Sequence, residues 1–242
     1  MKKNQLIAEV KSIKALDKRE ETTKLETINW INSGVELCRL KKPDVPNKHL
    51  VSYFVLVDGD YILLVDHINA KLWLPTGGHV EPNEHSRDTA LREAFEELSI
   101  QAEFLQEAPL FLTSTVTVGK TAGHTDVCLW YVLKGKRDSK FTFDESEFKR
   151  VKWFYKDDIP FERTDPELAR FLKNFMGSTL QNLHFKLTLM QIKFTQLVKP
   201  ITTIAQVFNQ WENDKLLRPL MRPNRNQADI YLQTLVTVDL LK

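Results

Sequence analysis

Cysteine and glycine are both scarce in this chain of 242 residues, with two of the first and eight of the second. Cys38 and Cys128 cannot build a disulfide framework or a four-ligand zinc site by themselves, so a reducing, cytoplasmic setting is the expectation. Long apolar runs are missing as well. Nothing approaches the roughly 20 residues that span a bilayer, and the start, Met1-Lys2-Lys3-Asn4-Gln5, has no signal-like apolar stretch behind its lysines. Charge of one sign is also lacking. The 34 Lys+Arg against 32 Asp+Glu leave a net +2, which argues against a dedicated nucleic-acid binder despite Arg218, Arg222 and Arg225 in the tail. What is present is ordinary globular material. At 42% hydrophobic residues the chain holds enough apolar surface for a substantial core.

The pattern changes along the chain. From Asn4 to about Cys38, Leu6, Ile7, Val10, Ile13 and Leu16, then Leu25, Ile28, Trp30 and Ile31, recur at helical spacing and predict an N-terminal helical cap over residues 1–47. Leu50 to Val57 and Tyr61 to Val65 read as strands around an Asp58-Gly59-Asp60 hairpin. Trp73-Leu74-Pro75 leads into Thr76-Gly77-Gly78, read as a turn. Ser86 is the expected N-cap of a helix ending near Leu98. Further strands are expected over Phe104 to Val118 (in two pieces broken near Pro109), Val127 to Leu133 and Val151 to Tyr155. Asp165-Pro166 opens a helix through Leu168, Phe171, Leu172 and Phe175, which Gly177 stops. Strands, a helix, more strands and a closing helix predict an α/β fold with a mixed sheet and helices on its faces over residues 48–177.

The chemistry lies between Gly78 and Ile100. On a helix, Glu93, Glu96 and Glu97 stand at i, i+3 and i+4 and crowd one face, while Ala90, Leu91, Ala94 and Leu98 face nearly the opposite way. Like charges so placed destabilise a helix by a few tenths of a kcal/mol per pair, roughly. Arg92 can pair with Glu96, and a divalent cation can neutralise the whole cluster. Carboxylate oxygens suit Mg²⁺ or Mn²⁺ better than zinc. Gly77 and Gly78 let the backbone approach a bound group, a carbonyl there can join the cation's oxygen shell, and Glu84 adds a carboxylate. Together these features suit a phosphate-bearing substrate.

The spacing resembles the Nudix box, Gly-x5-Glu-x7-Arg-Glu-U-x-Glu-Glu-x-Gly-U with U a bulky aliphatic residue. Here it runs Gly78, Glu84, Arg92-Glu93-Ala94-Phe95-Glu96-Glu97-Leu98-Ser99-Ile100. Ala94 replaces the first U and Ser99 the second glycine. Trp73 to Pro82 looks like the family's usual approach to the box. The resemblance implies a Nudix-type α/β/α sandwich with an N-terminal helical segment and a C-terminal extension. It also implies Mg²⁺-dependent (or Mn²⁺-dependent) cleavage of a nucleoside diphosphate linked to another group. By motif position Glu93, Glu96, Glu97 and the Gly78 carbonyl would hold metal, with Glu84 in support and Arg92 orienting the glutamates. The general base would be a box glutamate or a downstream carboxylate, and Glu145 and Glu147 are the candidates. Gly77, Gly78, His124 and Asp126 are candidates to line the substrate pocket, whereas His79 and His85 read as polar loop residues. A non-catalytic nucleotide-sensing module is the alternative. Partners are expected to be small-molecule nucleotides, with no nucleic acid or membrane and with a homodimer left open.

Residues 178–242 contain no glycine. They weakly resemble the opening of an N-acetyltransferase domain without the glycine-rich loop that cradles coenzyme A, which predicts a truncated fragment or a capping extension.

Overall fold

Leu50 to Val57 is apolar at nearly every position, a pattern that suits a strand buried on both faces. In the computed structural model, which describes residues 3–42, 45–117 and 123–177, this stretch is the middle of β1 (Lys48–Asp58). Its residues alternate between two cores. Leu50, Phe54 and Leu56 enter one, and Val51, Val55 and Val57 the other. β6 (Thr125–Lys134) behaves alike and runs parallel to β1 along its whole length, from Lys48↔Thr125 to Val57↔Lys134. The remaining strands are β2 (Tyr61–His67), β3 (Leu72–Leu74), β4 (Thr76–His79), β5 (Glu103–Val116) and β7 (Phe148–Tyr155). Among the described residues they form one mixed seven-stranded sheet in the order β3-β2-β1-β6-β5, with β4 paired to β1 and β7 to β2.

Helices cover both faces. α1 (Lys3–Ser12), α2 (Lys18–Asn32) and α3 (Ser86–Leu98) lie on the first, where Leu6, Val10, Ile31, Ala90, Ala94 and Leu98 share a core with Leu129 and Tyr131. The helical residues 168–177, α4, cover the second, with Phe171 stacked on Trp130 at a centroid distance of 5.3 Å. This is the α/β/α sandwich with a mixed sheet that the sequence predicts. α2 is tied to α4 by polar contacts. Glu20, 5% exposed, accepts from Arg170 Nη2 at 2.7 Å and from Asn174 Nδ2 at 3.3 Å. Among the described residues no helix is long and apolar enough to cross a membrane. The 178–242 extension lies outside them.

Four local expectations are corrected. Thr76-Gly77-Gly78 is not a turn but strand, paired with Phe54, Tyr53 and Ser52 of β1. His79 ends that strand rather than lying in a loop. β5 is one strand, not two pieces. Pro109 has no N–H for the ladder, and an edge strand tolerates it across the register shift between Gln106 and Phe111. The N-cap of α3 is His85, whose ring accepts from the Arg87 N–H, and Ser86 is the first helical residue.

Ser99 closes α3 in the left-handed region, at φ 54 and ψ 39, where its N–H donates to the Phe95 carbonyl and the Ile100 N–H to the Ala94 carbonyl. The resemblance places a glycine here because a side chain is strained in that conformation. Ser99→Gly is therefore expected to stabilise the fold by about 1 kcal/mol, seen as a higher urea midpoint with an unchanged slope.

Candidate active site

The amphipathic pattern of α3 sets the site. Ala90, Ala94 and Leu98 are fully buried against the sheet, which turns Glu93, Glu96 and Glu97 toward β4 and solvent. Arg92 gathers the carboxylates. Its Nε donates to Glu84 Oε1 at 2.8 Å and its Nη2 to Glu84 Oε2 at 3.0 Å, a two-pronged pair. Its Nη1 donates to Glu93 Oε1 at 2.6 Å and to Glu96 Oε2 at 2.9 Å. Nη2 also donates to the His79 carbonyl at 3.2 Å, which locks the helix to the end of β4. One guanidinium thus holds three carboxylates in a planar fork, a task lysine cannot match.

These groups differ in how easily they ionise. Burial pushes Glu84 up, but hydrogen bonds from Arg92 and Thr89 outweigh it and hold this carboxyl below its ordinary value. Burial raises Glu93, against the pull of Arg92. Glu97 is pushed up to about 8 by burial, helped by the charges of Glu93 and Glu147, while the Gly77 N–H and Thr76 hydroxyl pull the other way. A positive charge placed beside such a carboxyl would relieve both the burial and the repulsion.

The two glycines permit this packing for different reasons. A side chain at Gly77, where φ is 154, would meet the Ser52 carbonyl of β1 at 2.1 Å. One at Gly78 would meet the Glu93 carboxylate at 2.0 Å. Gly78→Ala therefore displaces only the far end of a flexible acidic side chain. It is expected to fold with stability within about 1 kcal/mol of the parent while turnover falls by about 100-fold. Gly77→Ala instead strikes backbone and should lower the melting temperature clearly. Parallel melts and rate measurements separate the two.

Of the downstream carboxylates, Glu147 approaches the box closely enough to raise Glu97 electrostatically, and it lies 3.8 Å from His67 Nε2. Glu145 is exposed on the same 144–147 turn. His124 and Asp126 are buried or nearly so and meet each other at 3.2 Å between Nε2 and Oδ1. His49, which no motif in the sequence singles out, lies 3.3 Å from Asp126 Oδ1. No local sequence signal marks it, because only the pairing of β1 with β6 sets His49 beside Asp126.

The donor set on α3 and β4 consists of carboxylate oxygens and a strand carbonyl, which fits a hard divalent cation of the Mg²⁺ class. The family model of the NUDIX domain matches residues 47–175. No curated protein matches the chain in sequence. Among solved structures, the chain is similar to a NUDIX-family hydrolase from Clostridium perfringens, at 23% identity over 52% of this chain and 95% of that one, with a TM-score of 0.43. It is also similar to a MutT NUDIX hydrolase from Burkholderia pseudomallei (21% identity, 46% and 85% of the two chains, TM-score 0.38). A third is a C. elegans Ap4A hydrolase binary complex (20% identity, 55% and 98%, TM-score 0.45).

Proposed function

The chain belongs to the Nudix family as a Nudix hydrolase, and from that premise we propose that it cleaves a phosphoanhydride in a nucleoside diphosphate-linked substrate, releasing a nucleoside monophosphate in a Mg²⁺-dependent reaction. The observation that carries this reading is the Glu93 carboxylate seated over Gly78, next to a Glu97 raised to about 8. Glu93, Glu96, Glu97 and the Gly78 carbonyl are the proposed holders of the cation, with Glu84 bracing Arg92. Bound there, a divalent cation would neutralise diphosphate oxygens and make water a better nucleophile.

The protein's own residues carry the rest. Arg92 keeps Glu93 and Glu96 in register with the strand carbonyls, so the carboxylates need no rearrangement when substrate arrives. Glu147 is proposed to take the proton of the attacking water, because its turn brings its charge to bear on Glu97. Glu145, two residues back, is the matched comparison. A screen of nucleotide substrates with Mg²⁺ and with Mn²⁺, followed by product identification in ¹⁸O-labelled water, tests the reading. Label in a released monophosphate or pyrophosphate supports it and identifies the phosphorus attacked. Tight nucleotide binding with no metal-stimulated product in any pairing would replace it with a sensing role.

A further inference from the structure

A second group of ligand-bearing side chains lies on the far side of the sheet from α3. His49 opens β1, His79 ends β4, and His124 and Asp126 stand at the start of β6. Register puts them on one face. Asp126 is the Cα partner of His49 and His79 that of Val51, two residues along from His49. Val51 packs in the core beneath α4, so all of these side chains point away from the carboxylate ridge. One ligand atom from each of the four lies within 4.8 Å of the others.

The protons of this cluster are arranged for a cation. His49 is fully buried, and its Nδ1 lies 2.8 Å from the Pro46 carbonyl, an acceptor only, so Nδ1 carries a hydrogen and Nε2 points inward. His124 Nδ1 lies 3.1 Å from Thr117 Oγ1, whose hydroxyl donates to the His124 carbonyl. That assigns the Nδ1 proton of His124 to the threonine oxygen and leaves its Nε2 toward Asp126. A backbone or hydroxyl partner on one ring nitrogen, with the other aimed at a shared centre, is how metal-binding histidines are oriented. At that centre His49 Nε2 and His124 Nε2 both face Asp126 Oδ1 at ion-pair distance, while the buried His79 Nε2 makes no hydrogen bond. Two rings crowding one carboxylate oxygen, with the nitrogen of a third ring aimed at the same centre, form an arrangement that a shared cation would satisfy.

We propose that His49, His79, His124 and Asp126 bind one transition-metal ion, zinc by their donor set, at a site distinct from the carboxylate ridge on α3. Three imidazole nitrogens and one carboxylate oxygen are the borderline ligands that zinc selects and magnesium does not. The spacing agrees. Bonds of about 2.0–2.1 Å in a tetrahedron place neighbouring ligand atoms about 3.3–3.4 Å apart. The separations from Asp126 Oδ1 are 3.3 Å to His49 Nε2 and 3.2 Å to His124 Nε2. Arg39 and Asp126 both act electrostatically on His79. Arg39 opposes a cation here, and the Asp126 charge opposes Arg39. Four protein ligands close the coordination sphere, which makes the ion a staple joining the ends of β1, β4 and β6. Because Arg92 grips the His79 carbonyl, the staple also holds the Gly77-Gly78 strand in place beneath the box.

The test uses the full chain without an affinity tag, loaded with Zn²⁺, passed through gel filtration and analysed by plasma mass spectrometry. One zinc per chain is expected, with a rise in melting temperature on loading. Co²⁺ in its place should give the intense visible bands of a tetrahedral site. His79→Ala and His124→Ala should each weaken zinc affinity by at least about a hundredfold. His79→Asn serves as a milder variant if either fails to fold by circular dichroism. Glu93→Gln and Glu97→Gln should keep the zinc and the Co²⁺ bands, which separates this site from the box. Failure of the parent chain to take up zinc would overturn the proposal and leave His49 and His124 simply paired with Asp126. Equal retention of zinc by the histidine variants would overturn it as well.

Discussion

Glu97→Gln is expected to reduce turnover by about 10²–10⁴-fold while making the metal-free protein more stable at alkaline pH. The loss of rate follows from removing a charge that the proposed cation needs. The gain in stability follows from linkage. The Glu97 carboxyl is raised in the fold to about 8 from an ordinary 4.5, so the folded state holds this proton more tightly than the unfolded chain does. Its contribution is therefore most favourable below about 4.5 and is lost as pH rises toward 8. Glutamine has no charge to lose, keeps an oxygen for the Gly77 N–H, and should remove this decline. After allowance for partial exposure and solvent screening, the difference at pH 8.5 should be about 2 kcal/mol. Chemical denaturation of both proteins in chelator, from pH 5 to 9, reads it directly. Near-normal turnover in the variant, or parallel stability curves, would defeat the assignment of Glu97.

Arg92→Ala should have the largest effect on stability of any box substitution. Its guanidinium holds Glu84 and Glu93, whose side chains are only 17% and 12% exposed. Removing it leaves them facing one another without a counter-charge. Stranding such groups costs about 3–5 kcal/mol in a dry interior, and about 2–3 kcal/mol is expected here because Arg92 itself is partly wet. The same repulsion predicts a rescue. Mg²⁺ or Mn²⁺ should raise the melting temperature of Arg92→Ala by more than that of the parent, since the cation meets a more negative cluster. Turnover should stay low even with saturating metal, because Glu96 loses its tether and α3 loses its link to the His79 carbonyl. Arg92→Lys should recover part of the stability and little of the rate. It restores the charge without the fork.

Much of this architecture was legible in the residues. The doubly apolar run Leu50–Val57 fixed a central strand, and the alternation of Ala90, Ala94 and Leu98 with Glu93, Glu96 and Glu97 fixed both faces of α3. Position was harder to read than type. The glycine pair of β4 misled because glycine usually marks turns. Here it marks close approach, by the Ser52 carbonyl on one side and the Glu93 carboxylate on the other. Pro109 suggested a break and proved to be an edge-strand irregularity. The histidine cluster was invisible for a deeper reason. His49, His79 and His124 are spread over 76 sequence positions, and only the pairing of β1 with both β4 and β6 brings them together. No local period encodes that.

The parallel pairing of β1 with β6 has a consequence for how the molecule is made. Each residue from Lys48 to Val57 meets one 77 positions later in the chain, so the two innermost strands zip only after a long loop has closed. High contact order of this kind slows folding, toward the millisecond-to-second range for domains dominated by non-local pairs. During synthesis β2 and β4 soon follow to pair with one edge of Leu50 to Val57, but the other edge stays bare and aggregation-prone until Thr125 to Lys134 emerges. Yield in cells should therefore respond to chaperone supply and growth temperature even where the finished domain is stable.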